Sequence, residues 1–321
     1  MARPRQLLFV MDPLARLDLA GDTTLAWIVE ARARGHEAWW CGPEHLGCEA
    51  DDAVARAWRV EAADLADGAR AEGGAGRAQP LGCWDAVFMR KDPPIGLEYL
   101  TATMLLERAR GKTLLVNDPR GLREINEKLA ILQFPELTPR TIVTRDMARL
   151  RSFLAEQEGV IVVKPLDGAG GSGVFVACDG DPNLSSIFEQ VTGFGARWAM
   201  AQRYLPEVRA GDKRIILLDG APVGAVLRVP ADHEARANLH VGGKPQATEL
   251  DAAELNICAV IGPWLRSLGQ VFVGIDVIGG KLTEINVTSP TGIRQIAALG
   301  GPRLEVAFLD WVERAISALG R

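Results

Sequence analysis

The feature that most constrains this chain is the alternation at its start. Leu7 to Met11 is an apolar run of strand length, Thr23 to Arg34 reads as an amphipathic helix, and Glu37 to Cys41 is a second strand after the helix stop at Gly35. A strand, a helix and a strand in that order predict a parallel α/β domain with the helix packed across the sheet. A strand at Asp85 to Arg90, a helix at Leu97 to Ala109 and a strand at Thr113 to Asn117 complete it. The stretch Asp67 to Gln79 is rich in Gly, Ala and Arg without periodicity, and reads as a surface loop within that domain.

From Thr141 the pattern changes to a small α+β unit: strand Thr141 to Thr144, helix Met147 to Glu156, strand Val160 to Lys164, a glycine-rich loop, strand Gly173 to Cys178 and helix Leu184 to Val191. Strands near Ala199 to Tyr204, Arg214 to Leu218 and Gly224 to Val229 follow, with a hairpin signal at Asp219-Gly220. Helix Ala252 to Leu268, hairpin Val271 to Val287 and helix Pro302 to Leu319 close the chain. At 321 residues the chain exceeds one ordinary core, and we divide it into units 1–122, 123–200 and 201–321.

Composition removes several classes of function. With 48% hydrophobic and 24% charged residues the chain is expected to fold as a soluble protein. A net charge of -5 argues against broad capture of nucleic acid, and no apolar run reaches membrane or signal-peptide length, so a cytoplasmic protein is expected. Cys41, Cys48, Cys83, Cys178 and Cys258 have neither disulfide nor zinc spacing and read as reduced, buried thiols. His36, His45, His233 and His240 form no H-E-x-x-H pair and read as surface or loop residues; G-x-S-x-G is absent, so hydrolase readings lose their basis.

Two nucleotide motifs nearly occur and both fail. Gly111-Lys112-Thr113 ends like a P-loop, but Leu106 stands where the first glycine belongs. Gly168, Gly170 and Gly173 satisfy G-x-G-x-x-G, yet Val174 to Ala177 continues as a strand rather than the helix a dinucleotide site needs. Such a turn between strands can still bring amide N–H groups to phosphate oxygens, with Lys164 adding a point charge; the alternative is a plain flexible hairpin.

The strongest chemical cluster is the run Phe272 to Val287. Glu284 and Asn286 are two apart and share one face of a strand. If the hairpin turns through Gly279-Gly280-Lys281, Asp276 lies opposite Glu284 on that face; a two-residue turn puts it on the other side. Two carboxylates and an amide suit magnesium, while the plain reading is the polar face of an antiparallel sheet. The polar stretch Arg228 to Gly243 reads as a mobile lid or a surface excursion.

These motifs, taken in order, resemble bacterial glutathione synthetases of the ATP-grasp superfamily across nearly the whole chain. The resemblance is carried by Met11-Asp12-Pro13, Met89 to Pro94, Asn126-Glu127-Lys128-Leu129, Leu137-Thr138-Pro139, Lys164 to Gly168, Gly211 to Arg214, Leu282 to Thr291 and Ile293 to Ile296. It implies the ATP-grasp fold behind an N-terminal α/β domain. It also implies ligation of γ-glutamylcysteine to glycine through an acyl phosphate, giving glutathione, ADP and phosphate.

Residue by residue, the resemblance places Lys128 and Lys164 on ATP phosphates beneath a Gly170-Gly171 flap, Gln202, Tyr204 and Leu205 around adenine, and Asp212 on the ribose. Asp276, Glu284 and Asn286 become ligands of magnesium or manganese. Arg214, Arg228, Arg236 and Asn238 surround the peptide, the three arginines with catalytic roles; Asp12, Arg90 and Ser289 are further substrate contacts. A homo-oligomer, commonly a tetramer, is implied as well. The competing readings are another ATP-grasp ligase with different substrates and a nucleotide-binding protein without turnover; an intact metal triplet weighs against the second.

Overall fold

The computed structural model describes residues 3–61, 65–231 and 242–320, and its strands form three sheets. The first unit contains β1 (Gln6–Met11), α1 (Thr23–Ala33), β2 (Glu37–Cys41), β3 (Leu46–Glu49), β4 (Asp52–Glu61), β5 (Arg70–Ala71), β6 (Arg77–Pro80), β7 (Ala86–Arg90), α2 (Leu97–Glu107), β8 (Leu114–Val116) and α3 (Pro119–Glu124). Strands β2, β1, β7 and β8 are parallel, as the opening alternation predicts.

The sheet is not wholly parallel, however. β4 pairs antiparallel with β2 and, further along, with β3, while β6 pairs with it on the edge opposite β3 and β5 pairs with its end. The expectation of a loop from Asp67 to Gln79 is therefore corrected, since β5 and part of β6 fall inside it. β4 has a weak sequence signal because three of its inward residues are Ala53, Ala55 and Ala57, which lack the branched side chains that mark strands. All five cysteines are free; Cys41 and Cys258 are buried, but Cys48 and Cys83 are exposed, against the expectation of buried thiols.

The second sheet is built from β9 (Thr141–Thr144), β10 (Val160–Pro165), β11 (Phe175–Cys178) and β12 (Ala199–Arg203), in the order β11-β10-β12-β9. Helices α4 (Met147–Glu156) and α5 (Leu184–Thr192) back it, burying Leu150, Phe153 and Phe188 against Ile161 and Val163. The third sheet, ordered β15-β14-β13-β16-β17, comprises β13 (Asp212–Leu218), β14 (Ala221–Val229), β15 (Lys244–Gln246), β16 (Phe272–Ile278) and β17 (Lys281–Asn286). Helices α6 (Ala252–Ser267), α7 (Ile293–Ala298) and α8 (Leu304–Ala318) complete the chain.

The C-terminal helix returns to the first unit. Trp27 of α1 stacks on Phe308 of α8 at 3.8 Å and meets Phe272 of β16 edge-on at 4.7 Å. This explains why α1 is not a one-faced helix as expected: Thr23 to Ile28 and Ala31 are all buried between the sheet and α8. Among the described residues no helix is long and apolar enough to cross a membrane.

One amide fastens the first sheet to the third. Asn117, just beyond β8, accepts from the backbone N–H groups of Val271 and Phe272, both at 2.9 Å, and donates to the carbonyls of Phe272 at 2.9 Å and Val287 at 2.7 Å. It is buried, so Asn117→Ala leaves four backbone groups without these partners. We predict that this substitution lowers unfolding free energy by on the order of 3 kcal/mol in a denaturant titration. A loss below about 1 kcal/mol, the net worth of one such bond, would show that the amide is not a fastener.

Candidate active site

The hairpin β16–β17 resolves the register question in an unforeseen way. Its turn has two residues, Gly279 and Gly280, both at positive φ, which glycine adopts without steric cost. Such a turn alone would place Asp276 opposite Thr283. An extra residue in β17 shifts the register between Asp276 and Val277, so Val277 pairs with Leu282 while Asp276 pairs with Glu284. The Thr283 hydroxyl donates to the Asp276 carbonyl at 3.1 Å, holding the bulge, and Asn286 stands 3.4 Å from Asp276. Asp276, Glu284 and Asn286 thus lie together.

Two lysines converge on this hairpin from other elements. Lys164, at the end of β10, places Nζ 3.7 Å from Glu284 Oε1 and donates to the Thr283 carbonyl at 3.2 Å. Lys128 places Nζ 3.4 Å from the same oxygen and donates to the Gly168 carbonyl. Burial lowers the Lys164 pKa, and the Glu284 carboxylate works against that shift.

A second charged group lies alongside, on neighbouring strands. Arg214 of β13 forms a two-pronged pair with Asp276, at 2.5 and 3.0 Å. Arg228 of β14 bridges Asp276 at 3.0 Å and Asp212 at 2.6 Å. Burial pushes the Asp276 carboxyl up, but the Arg214 and Arg228 guanidinium groups overcome this and hold it well below the usual range. Asp212 has weaker compensation: burial raises it to about 6 despite Arg228. Among the described residues, its Oδ1 and the Nε of Arg228 are buried with no partner.

All of these groups line one cleft of about 710 Å³ with walls from all three sheets. The Gly168–Ser172 loop closes one side, with Gly170 and Gly171 at φ of 62° and 81°. Val162, Val176, Leu205 and Ile278, with Gln202 and Tyr204, line a more apolar end, where Gln202 donates to the Thr141 hydroxyl at 3.1 Å. Asp12, Arg90 and Ser289 line the side toward the first unit. Asp12 is paired with Lys91 at 2.9 Å, and Ser289 donates to Asp92. Arg90 is buried over the Trp27 ring at 4.6 Å and donates to the Thr24 hydroxyl and to the carbonyls of Thr288 and Pro290; burial lowers its pKa to about 10.

Every candidate residue within the described structure therefore lines the same cleft. Arg236, Asn238, His233 and His240, with most of the expected lid, fall outside the described residues. Sequence reasoning missed Glu127 and Thr283 as parts of the site. Glu127 sits beside Lys128 in a quoted motif, but nothing local shows that it reaches β17; the bulge at Thr283 has no side-chain signature.

The donor set fits a divalent cation in its chemistry. Two carboxylates and an amide supply hard oxygens on one rigid hairpin. Among the described residues no group of three or more His, Cys, Asp or Glu is placed to hold a metal, so a cation here needs further oxygens from a bound phosphate or water. Lys128 and Lys164 bring two ammonium groups to within 3.4 and 3.7 Å of Glu284, a local arrangement that suits a phosphate beside a cation.

Comparison with known proteins places this geometry in a family. Residues 6–123 match the family model of the prokaryotic glutathione synthetase N-terminal domain, and residues 127–301 that of its ATP-grasp domain. A glutathione synthetase of Brucella melitensis is 46% identical over 303 residues, covering 94% of this chain and 96% of its own. One from Agrobacterium fabrum is 44% identical over 311 residues, covering 97% and 96%. Among solved structures, the D-cycloserine synthetase DcsG superimposes with a TM-score of 0.67 at 18% identity, covering 98% of this chain and 99% of its own. The RimK domain ATP-grasp protein of Sphaerobacter thermophilus gives 0.60 at 19% identity, covering 94% and 97%, a likeness of fold. With an ATP-grasp fold and both family domains spanning nearly its full length, the chain belongs to the prokaryotic glutathione synthetase family.

Proposed function

We propose that this chain joins the cysteinyl carboxylate of γ-glutamylcysteine to the amine of glycine, converting ATP to ADP and phosphate and releasing glutathione. The observation that carries the site assignment is the convergence of Lys128 and Lys164 with the Asp276–Glu284–Asn286 face in one cleft.

A carboxylate is a poor acyl donor, so it must first acquire a leaving group. Its oxygen attacks the γ-phosphorus of ATP, the bond to the β-phosphate oxygen breaks, and ADP leaves from an acyl phosphate. The glycine nitrogen then attacks the acyl carbon, gives up a proton and expels phosphate. The first step brings two anions together, so cationic side chains aimed at the phosphates supply the stabilisation and no protein nucleophile is needed.

Lys128 and Lys164 suit the phosphates, beneath the Gly168–Ser172 loop. The apolar end suits adenine, with Gln202, Tyr204 and Leu205 at its border and Asp212, whose Oδ1 has no partner among the described residues, toward the ribose. Asp276, Glu284 and Asn286 would hold magnesium or manganese, which when bound neutralises phosphate charge. Arg214 and Arg228 face the reacting carboxylate, while Asp12, Arg90 and Ser289 border the peptide. Arg236 and Asn238 are assigned to the peptide on resemblance alone.

The division into units 1–122, 123–200 and 201–321 is part of the proposal; the three separate sheets support it, although α3 and β12 run across its boundaries. A cytoplasmic homo-oligomer, commonly a tetramer, completes the proposal.

Purified protein with Mg-ATP, γ-glutamylcysteine and glycine is predicted to release ADP and form glutathione, identified by mass, only when all three substrates are present. Another product from other amino acids, with none from this mixture, would move the chain to a different ligase specificity. Glu284→Ala is predicted to lose on the order of 100-fold in turnover, as removal of one electrostatic stabiliser commonly does, while keeping a cooperative melting transition. Near-normal turnover in folded protein would overturn the assignment of Glu284 to the metal.

A further inference from the structure

We propose that Glu127 is a positioning residue that holds Lys128 and the Glu284–Ser289 segment at a fixed separation across the cleft. Among the described residues β17 is the last strand of its sheet, so its outer edge carries backbone N–H groups with no strand to receive them. Glu127 receives the one on Ile285 and, just past the end of the strand, those on Val287 and Thr288. Its carbonyl accepts from the Ile285 N–H at 2.9 Å. Its Oε1 accepts from the Val287 N–H at 2.8 Å, the Thr288 N–H at 3.0 Å and the Thr288 hydroxyl at 2.9 Å.

The residues on either side turn this edge cap into a bridge. Asn126 donates to the Leu166 carbonyl, just beyond β10, at 3.2 Å, and its Oδ1 accepts from the N–H groups of Lys128 and Leu129 at 3.1 and 3.0 Å. Three consecutive residues therefore reach the end of β10, the edge of β17 and, through Lys128, Glu284. Oε1 of Glu127 is the side-chain atom of this bridge that accepts three hydrogen bonds. Removing it frees Lys128 to move relative to Glu284 and Ser289, and displacements of about 1 Å are enough to slow such chemistry severely.

This inference rests on the proposed placement of Lys128 at the ATP phosphates, and its test reads that placement without requiring turnover. Binding of ATP and of AMP, both with Mg²⁺, is measured by calorimetry for the wild type, Glu127→Ala and Glu127→Gln, beside melting curves and steady-state turnover. Glu127→Ala is expected to lower the ratio of ATP to AMP affinity by about fivefold or more and turnover by about tenfold or more, leaving AMP binding nearly unchanged. Glu127→Gln, whose amide oxygen can accept from the same N–H groups, is expected to recover most of both losses.

An unchanged affinity ratio in Glu127→Ala overturns the inference, as does Glu127→Gln that is as impaired as the alanine variant. If Glu127→Ala does not fold, Thr288→Val carries the test by removing one of the four donors. A fall of about twofold or more in the affinity ratio supports the bridge, and a smaller change overturns it. Wild-type protein that binds ATP but forms no glutathione would defeat the proposed reaction while leaving this binding comparison readable.

Discussion

The site depends on a buried lattice of charges across neighbouring strands: Asp212 and Arg214 on β13, Arg228 on β14 and Asp276 on β16. Buried charges are costly, and their pairing often only offsets the desolvation. Removing one member is different, because it strands the others; such losses commonly reach about 3–5 kcal/mol. The lattice therefore fixes where Asp276 stands more than it adds to stability. Glu284 and Asn286 inherit that position through the bulged hairpin, and the lysines are then placed against Glu284.

Three distant parts of the chain bring the rest to this point. Asn117 fastens β8 to both strands of the hairpin, while α8 packs back over α1 through the Trp27–Phe308 stack. Arg90 reaches from β7 to the carbonyls of Thr288 and Pro290. The segment carrying Ser289 is consequently held from the first sheet by Arg90 and from the other side by Glu127. A cleft between three sheets gains fixed walls from such ties, and catalysis by positioning and charge needs fixed walls.

Elements with a clear local period were legible in the sequence: β9 and α4 fall within their expected limits, and the glycine turns predicted both hairpins of the third sheet. β3 to β6 were not legible, since alanine at three of the inward positions of β4 carries little strand preference and the loop composition hides β5 and β6. The amphipathic reading of α1 failed because α8, nearly 300 residues away in sequence, covers its outer face. At the site, residue types and the shared face of Glu284 and Asn286 were readable. The route to Asp276 was not: the turn has two residues, and only a bulge at Thr283 restores the pairing. Neither the ties of Asn117 nor those of Glu127 have a local signal, because their partners lie over 150 residues away.

The central claim is that a carboxylate is activated by ATP and then captured by an amine. γ-Glutamylcysteine labelled with ¹⁸O in its cysteinyl carboxylate follows the transferred oxygen directly. An acyl phosphate route predicts that each glutathione formed is accompanied by one phosphate carrying one labelled oxygen. Glutathione formed with unlabelled phosphate would contradict activation of the carboxylate by phosphoryl transfer.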